Sequence, residues 1–166
     1  HARDINPNAP EVYYELAGYY VEMQNNKAAR YNFERAAELA PNNSTYLEKL
    51  GQFYITQNDY EQALAAYEKL YANNKTREDV LQILYQLYGS QNNYKKMIEV
   101  TERMETLLGS SEQLSLTKMQ IFEQMGDKRK AQAELMRLVQ KNPLDLNYRV
   151  MLGNWLFQNN KKKEAY

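Results

Sequence analysis

No cysteine occurs anywhere in the 166 residues. Disulfides, thiolate metal ligands and cysteine nucleophiles are therefore excluded, while the redox compartment stays open. The 6 Gly are scattered singly, so no glycine-rich loop is available to cradle a phosphate. Charge of either sign is not in excess, with Lys+Arg 21 against Asp+Glu 21. A neutral chain lacks the broad cationic field that non-specific phosphate binding needs, which argues against nucleic acid and anionic membranes as partners. No apolar run approaches the roughly 20 residues of a membrane span. The only His is His1, at the terminus, and the polar stretch from His1 to Asn8 does not read as a signal peptide. Asp and Glu lie mainly where helix surfaces are expected, as in Glu34 to Glu38, Glu61 to Glu68 and Glu99 to Glu105, and no loop gathers the converging oxygens of a Mg²⁺ or Ca²⁺ site. The sequence thus offers no catalytic constellation, no metal site and no cofactor site.

What is present is a regular apolar pattern. Hydrophobic residues make up 43% of the chain, enough for a packed core, and 15 Tyr against 4 Phe suggest rings with buried bodies and wet hydroxyls. Leu16-Ala17, Leu50-Gly51, Leu84-Tyr85 and Leu152-Gly153 share one register of 34 residues, with Lys118-Met119 as its weakest member. The same register holds Tyr20, Tyr54, Tyr88, Phe122 and Leu156, then Ala29, Ala63, Met97, Ala131 and Ala165. Further on come Phe33, Tyr67, Thr101 and Leu135, and Pro41 and Pro143 close two of the units. Apolar steps of three and four residues, as in Tyr13, Leu16, Ala17 and Tyr20, mark helix faces. Asn25, Asp59, Asn93 and Asp127 occupy one repeat position ahead of each second helix, where a short side-chain oxygen caps orphan N–H groups.

This pattern resembles the tetratricopeptide repeat, a helix–turn–helix of 34 residues with large, Leu, Gly, Tyr, Ala, Phe, Ala and Pro at fixed offsets. The resemblance covers essentially the whole chain as one solenoid: residues 1–9 as the end of a preceding unit, repeats at 10–43, 44–77, 78–111 and 112–145, and a truncated repeat at 146–166. It implies an all-α, right-handed superhelix of antiparallel hairpins, stabilised by stacking because no hairpin buries its apolar face alone. Ala17 or Gly51 is expected to face Ala29 or Ala63 where two backbones approach closely. The third repeat departs from this: Tyr85 and Met97 replace both small residues and Thr101 the aromatic, so it is expected to pack differently and to act as a local hinge. Ser115 and Lys118 break the apolar pattern of the fourth.

In this family the first helices line the concave face, and ligands usually lie there. By offset, the implied groove has an amide ladder of Gln52, Gln86, Gln120 and Asn154, with Gly18 at the first rung. Tyr14, Glu48, Gln82 and Val150 precede it by four residues; Val21, Ile55, Glu123 and Phe157 follow it by three. Primary amides carry both donors and acceptors, which suits an extended peptide. The cationic clamp that some family members use for chaperone C-termini is absent, and the groove leans acidic through Glu11, Glu48, Asp79 and Glu123. The expected partner is a protein or a neutral to basic extended peptide, and the expected role a non-catalytic interaction scaffold. The alternative role is a structural spacer in a larger assembly; exposed Tyr14, Ile55, Val150 and Phe157 favour recognition, buried ones the spacer. Lys161-Lys162-Lys163 reads as the exposed start of a last helix. Trp155, Leu152 and Leu156 are expected to leave a partly exposed apolar C-terminal edge on a fragment of a longer array, with weak end-to-end self-association as its consequence. Abundant Asn, Lys and Tyr suit a bacterium with an AT-rich genome, and cytoplasm and periplasm both stay open.

Overall fold

Each second helix starts where a short polar side chain can cap it. In the computed structural model, which describes residues 9–159, the Asn25, Asp59, Asn93 and Asp127 side chains accept from the backbone N–H three residues on, at 3.1, 3.5, 3.2 and 3.1 Å. The residue ahead of each cap has a positive φ: Gln24 at 56°, Asn58 at 58°, Asn92 at 54° and Gly126 at 73°. The capping residue's own N–H reaches back to the carbonyl of Tyr20, Tyr54, Tyr88 or Phe122, at 2.8–2.9 Å. This is a left-handed helix stop in which one residue both closes the first helix and opens the second. Its recurrence sets the tight turn of every hairpin.

The described residues contain nine helices and no strand: α1 Pro10–Glu22, α2 Asn26–Leu39, α3 Ser44–Thr56, α4 Tyr60–Asn73, α5 Glu78–Ser90, α6 Tyr94–Leu108, α7 Glu112–Gln124, α8 Lys128–Lys141 and α9 Leu146–Gln158. Asn25, Asn42, Asn58, Asn74, Asn92, Gly109, Gly126 and Asn159 all fall between or just after helices. His1, Lys161 to Lys163 and Ala165 lie outside the described residues.

The chain divides into two compact units, 1–87 and 88–166. Their boundary falls inside α5, the first helix of the repeat singled out for its bulky Tyr85 and Met97. In the first unit α1 pairs with α2, α2 with α3 and α3 with α4. Its core holds Phe33, Phe53, Tyr54, Tyr67 and Leu70, with Ala17, Ala29, Ala36 and Ala63 fully buried at the helix approaches. Among the aromatic residues of the repeat pattern, Phe33, Tyr54 and Tyr67 are buried, and Tyr13 and Tyr20 half-buried. The cavity left by Gly51 is filled by the Tyr67 ring, which an added Cβ would meet at 2.7 Å.

In the second unit α6 pairs with α7, α7 with α8 and α8 with α9. Thr101, at the slot of an aromatic, is fully buried, and its hydroxyl donates to the Met97 carbonyl at 2.8 Å. The apolar C-terminal edge expected from α9 needs correction. Trp155 and Leu156 are buried and Leu152 is half-buried. The Trp155 indole N–H donates to the Glu123 carboxylate on α7, which gives the buried ring its polar partner.

The small residues have measurable consequences. Ala29→Leu or Ala63→Leu should lower stability by about 1–3 kcal/mol, because neither fully buried site has room for three more carbons. Met97→Leu conserves volume at a site where a flexible thioether already fills the space beside Gly89, and should cost less than about 1.5 kcal/mol. Urea unfolding of the three variants checks this; equal shifts at all three sites would contradict it.

Candidate interaction surfaces

Within the first unit, α1 and α3 present a shared concavity of about 460 Å³. Four of the residues chosen by offset converge there: Tyr14, Gly18 and Val21 from α1 and Gln52 from α3. The wall is part of the core. Tyr14 lies 6.2 Å from Phe33 and 5.0 Å from Tyr46, ring to ring, and Phe33 lies 5.4 Å from Phe53. These contacts hold Tyr14 half-buried and fix the floor before any ligand arrives. Val21 and Gln52 are exposed.

Three acids expected to make the groove acidic are already engaged. Arg77 pairs with Glu48 at 3.0 Å and with Asp79. The Asp79 carboxyl is held below its usual range by the Arg77 hydrogen bond. Glu123 is taken by Trp155. Gln82 donates to Glu78 at 3.0 Å, while Ile55 is half-buried and Gln86 exposed. Sequence reasoning did not single out Glu15, Glu22 or Lys49, all exposed and all lining the concavity. The signal was present, since Glu15, Gly18 and Glu22 recur at three and four residues along one face of α1.

In the second unit, α7 and α9 flank a concavity of about 530 Å³, lined by Glu123, Val150 and Asn154 among the residues chosen by offset, together with Met119, Leu146 and Met151. Val150 is 60% exposed and Phe157 54%, and Gln120 is exposed on α7. Among the described residues no group of three or more His, Cys, Asp or Glu could hold a metal ion, and no helix is long and apolar enough to cross a membrane.

Buried hydroxyls make the array sensitive to alkali. The Tyr54 and Tyr67 phenols are pushed above their usual range, first by burial, with the hydrogen bond to Glu34 adding at Tyr54. Tyr148 is pushed up to about 12, first by donating to Glu112 and then by burial. A phenol whose folded value lies above its unfolded value of about 10 stabilises the fold below that pH, and the stabilisation is lost as pH rises toward the folded value. Urea midpoints should therefore fall steeply above about pH 10, with a late class of tyrosines in the 295 nm titration that ionises together with unfolding. A single early class of tyrosines would contradict this.

Residues 6–78 match the profile of the tetratricopeptide repeat family. The repeats that follow keep the same caps, turns and register through α9. Residues 6–78 are similar to tetratricopeptide repeats. Solved structures of such proteins share its all-α repeat-solenoid fold along nearly its whole length. A crystal structure of MamA protein covers 94% of this chain and 85% of its own, at 17% identity and a TM-score of 0.58. A tetratricopeptide repeat protein from Parabacteroides merdae covers 97% of this chain and 63% of its own, at 19% identity and a TM-score of 0.57. YrrB, described as a TPR protein with an unusual peptide-binding site, covers 96% of this chain and 82% of its own, at 15% identity and a TM-score of 0.56. No curated protein matches the sequence. The chain has the all-α repeat-solenoid fold of these structures.

Proposed function

We propose that this tetratricopeptide repeat chain is a non-catalytic scaffold that binds an extended, neutral to basic peptide segment along the exposed faces of its first helices. The observation that carries this reading is the concavity of the first unit, where Tyr14, Gly18, Val21 and Gln52 meet over a fixed aromatic floor. The exposed Val150 and Phe157 in the second unit support recognition over the spacer role, because apolar side chains left in water at these offsets favour a partner. YrrB, a structural neighbour described by its peptide-binding site, adds to the case.

The amides supply the test. Gln52, Gln86 and Gln120 are exposed on their helices, so their replacement leaves the core intact. Each amide hydrogen bond to a peptide backbone contributes about 0.5–1.5 kcal/mol. Gln52→Ala/Gln86→Ala/Gln120→Ala should therefore weaken a partner recovered with the wild-type chain by about tenfold or more, with an unchanged circular dichroism spectrum. Unchanged affinity in the triple variant, with binding abolished by substitutions on the second helices, would place recognition on the other face.

A further inference from the structure

We infer that the concavity between α1 and α3 is a subsite for one cationic side chain, Arg or Lys, of the bound segment. This rests on the peptide-binding reading above and adds the chemistry of one anchor. Glu15 and Glu22 stand on its α1 wall, and Lys49 on the α3 wall. Neither carboxylate has an ion-pair partner among the described residues, in contrast to Glu48 and Asp79. The neighbouring Tyr46 phenol is pushed above its usual range, first by burial and then by Glu11, Tyr14 and Glu15. Between the acids the lining is apolar and aromatic: Tyr14, Val21, Phe33 and Phe53.

An Arg or Lys side chain matches both parts. Its methylene stem covers apolar surface while its charged head stays at the wet rim, here against Glu15 or Glu22. The two carboxylates outnumber Lys49 on the walls, so a cationic head is favoured there over an apolar or an acidic one. Gly18 leaves room for the entering chain, since a Cβ built there has nothing within 4 Å. The second unit offers no equivalent, because the one acid lining its concavity already accepts the Trp155 N–H.

The test uses fluorescein-labelled peptides of about nine Ala and Ser residues that differ only at the centre, which is Arg, Lys, norleucine or Glu. In low-salt buffer the Arg and Lys peptides should bind the full chain about tenfold tighter than the norleucine peptide, and the Glu peptide more weakly still. The preference should shrink as salt shortens the screening length to about 3 Å near 1 M. Glu15→Gln/Glu22→Gln should remove the preference while leaving norleucine binding and the dichroism spectrum unchanged. Gly18→Trp should fill the concavity and block every peptide alike. If Gly18→Trp blocks binding but the double Gln variant keeps the preference, the cationic subsite is wrong and the groove stands. If Gly18→Trp leaves the Arg peptide bound as tightly, the groove reading itself falls. Arg and norleucine peptides of equal affinity, or an Arg peptide unbound at about 1 mM, would also overturn the subsite.

Discussion

Lys118→Ala should destabilise the second unit by about 3–5 kcal/mol. Lys118 occupies the repeat slot that holds Leu50 and Leu84 in the earlier repeats, and it is only 5% exposed. Its ammonium lies 2.8 Å from Glu105 on α6 and 2.9 Å from Glu134 on α8. Both carboxylates are largely buried, and the half-exposed Arg137 reaches them only at 3.3 and 3.5 Å. Removal of the lysine leaves two largely buried carboxylates that share only the half-exposed Arg137. Breaking a buried ion pair from one side has that cost because the remaining charge is desolvated without compensation. Lys118→Met, which keeps the length of the side chain, should recover little. Lys118→Met/Glu105→Gln/Glu134→Gln should recover most of the loss, since it leaves no buried carboxylate unpaired and the one charge that remains, Arg137, is half-exposed to water. Trp155 is the only Trp and lies buried in the same unit, so its fluorescence reports the transition in urea. A Lys118→Ala loss below about 1 kcal/mol would show that Glu105 and Glu134 remain hydrated in the fold.

The same lysine shows where the sequence stopped being legible. The periodicity marked Lys118 as the weakest member of its register, and correctly so, because propensity and hydropathy give a lysine no reason to sit in an apolar slot. What they cannot supply is the partner. Glu105 and Glu134 read as ordinary helix-surface acids until α6 and α8 close on α7. The features that were legible are those set by residues close together in the chain. Asn25, Asp59, Asn93 and Asp127 cap a helix that starts at the next residue, so their role follows from position alone. Trp155 marks the opposite case. Its indole N–H finds an acceptor in Glu123 from the preceding hairpin, a contact that the expectation of an exposed edge at a truncated repeat did not include. Glu48 and Asp79 were counted as groove acids for a similar reason, because Arg77, which draws both away, lies in the connection ahead of α5. Glu15 and Glu22 went unread because family offsets pointed elsewhere on α1, although their own spacing put them on one helix face with Gly18.

Gly51→Ala should destabilise the first unit, whereas Gly18→Ala should stabilise it by about 0.5–1 kcal/mol. Both glycines sit inside first helices, where alanine is intrinsically better by up to about 1 kcal/mol. The difference lies in the surroundings. At Gly18 an added Cβ has nothing within 4 Å, but at Gly51 it would stand 2.7 Å from Tyr67 Cε2 and 3.0 Å from Cδ2. The Tyr67 ring is 1% exposed and cannot swing into solvent, so the clash must be relieved by shifting packed neighbours. Overpacking of that kind costs about 1–3 kcal/mol, which outweighs the propensity gain. The ring itself is the larger asset, and Tyr67→Ala should cost about 3–5 kcal/mol through lost burial and the cavity left behind. The two sites should then couple. With Tyr67→Ala already in place, Gly51→Ala meets an empty space and should change from destabilising to stabilising, a coupling of about 1–3 kcal/mol of the kind seen between residues in contact. The cycle can be read from far-ultraviolet dichroism in urea. Additive effects at the two sites would mean that the ring does not occupy the space the glycine leaves, and that the small residue at this register serves backbone approach alone.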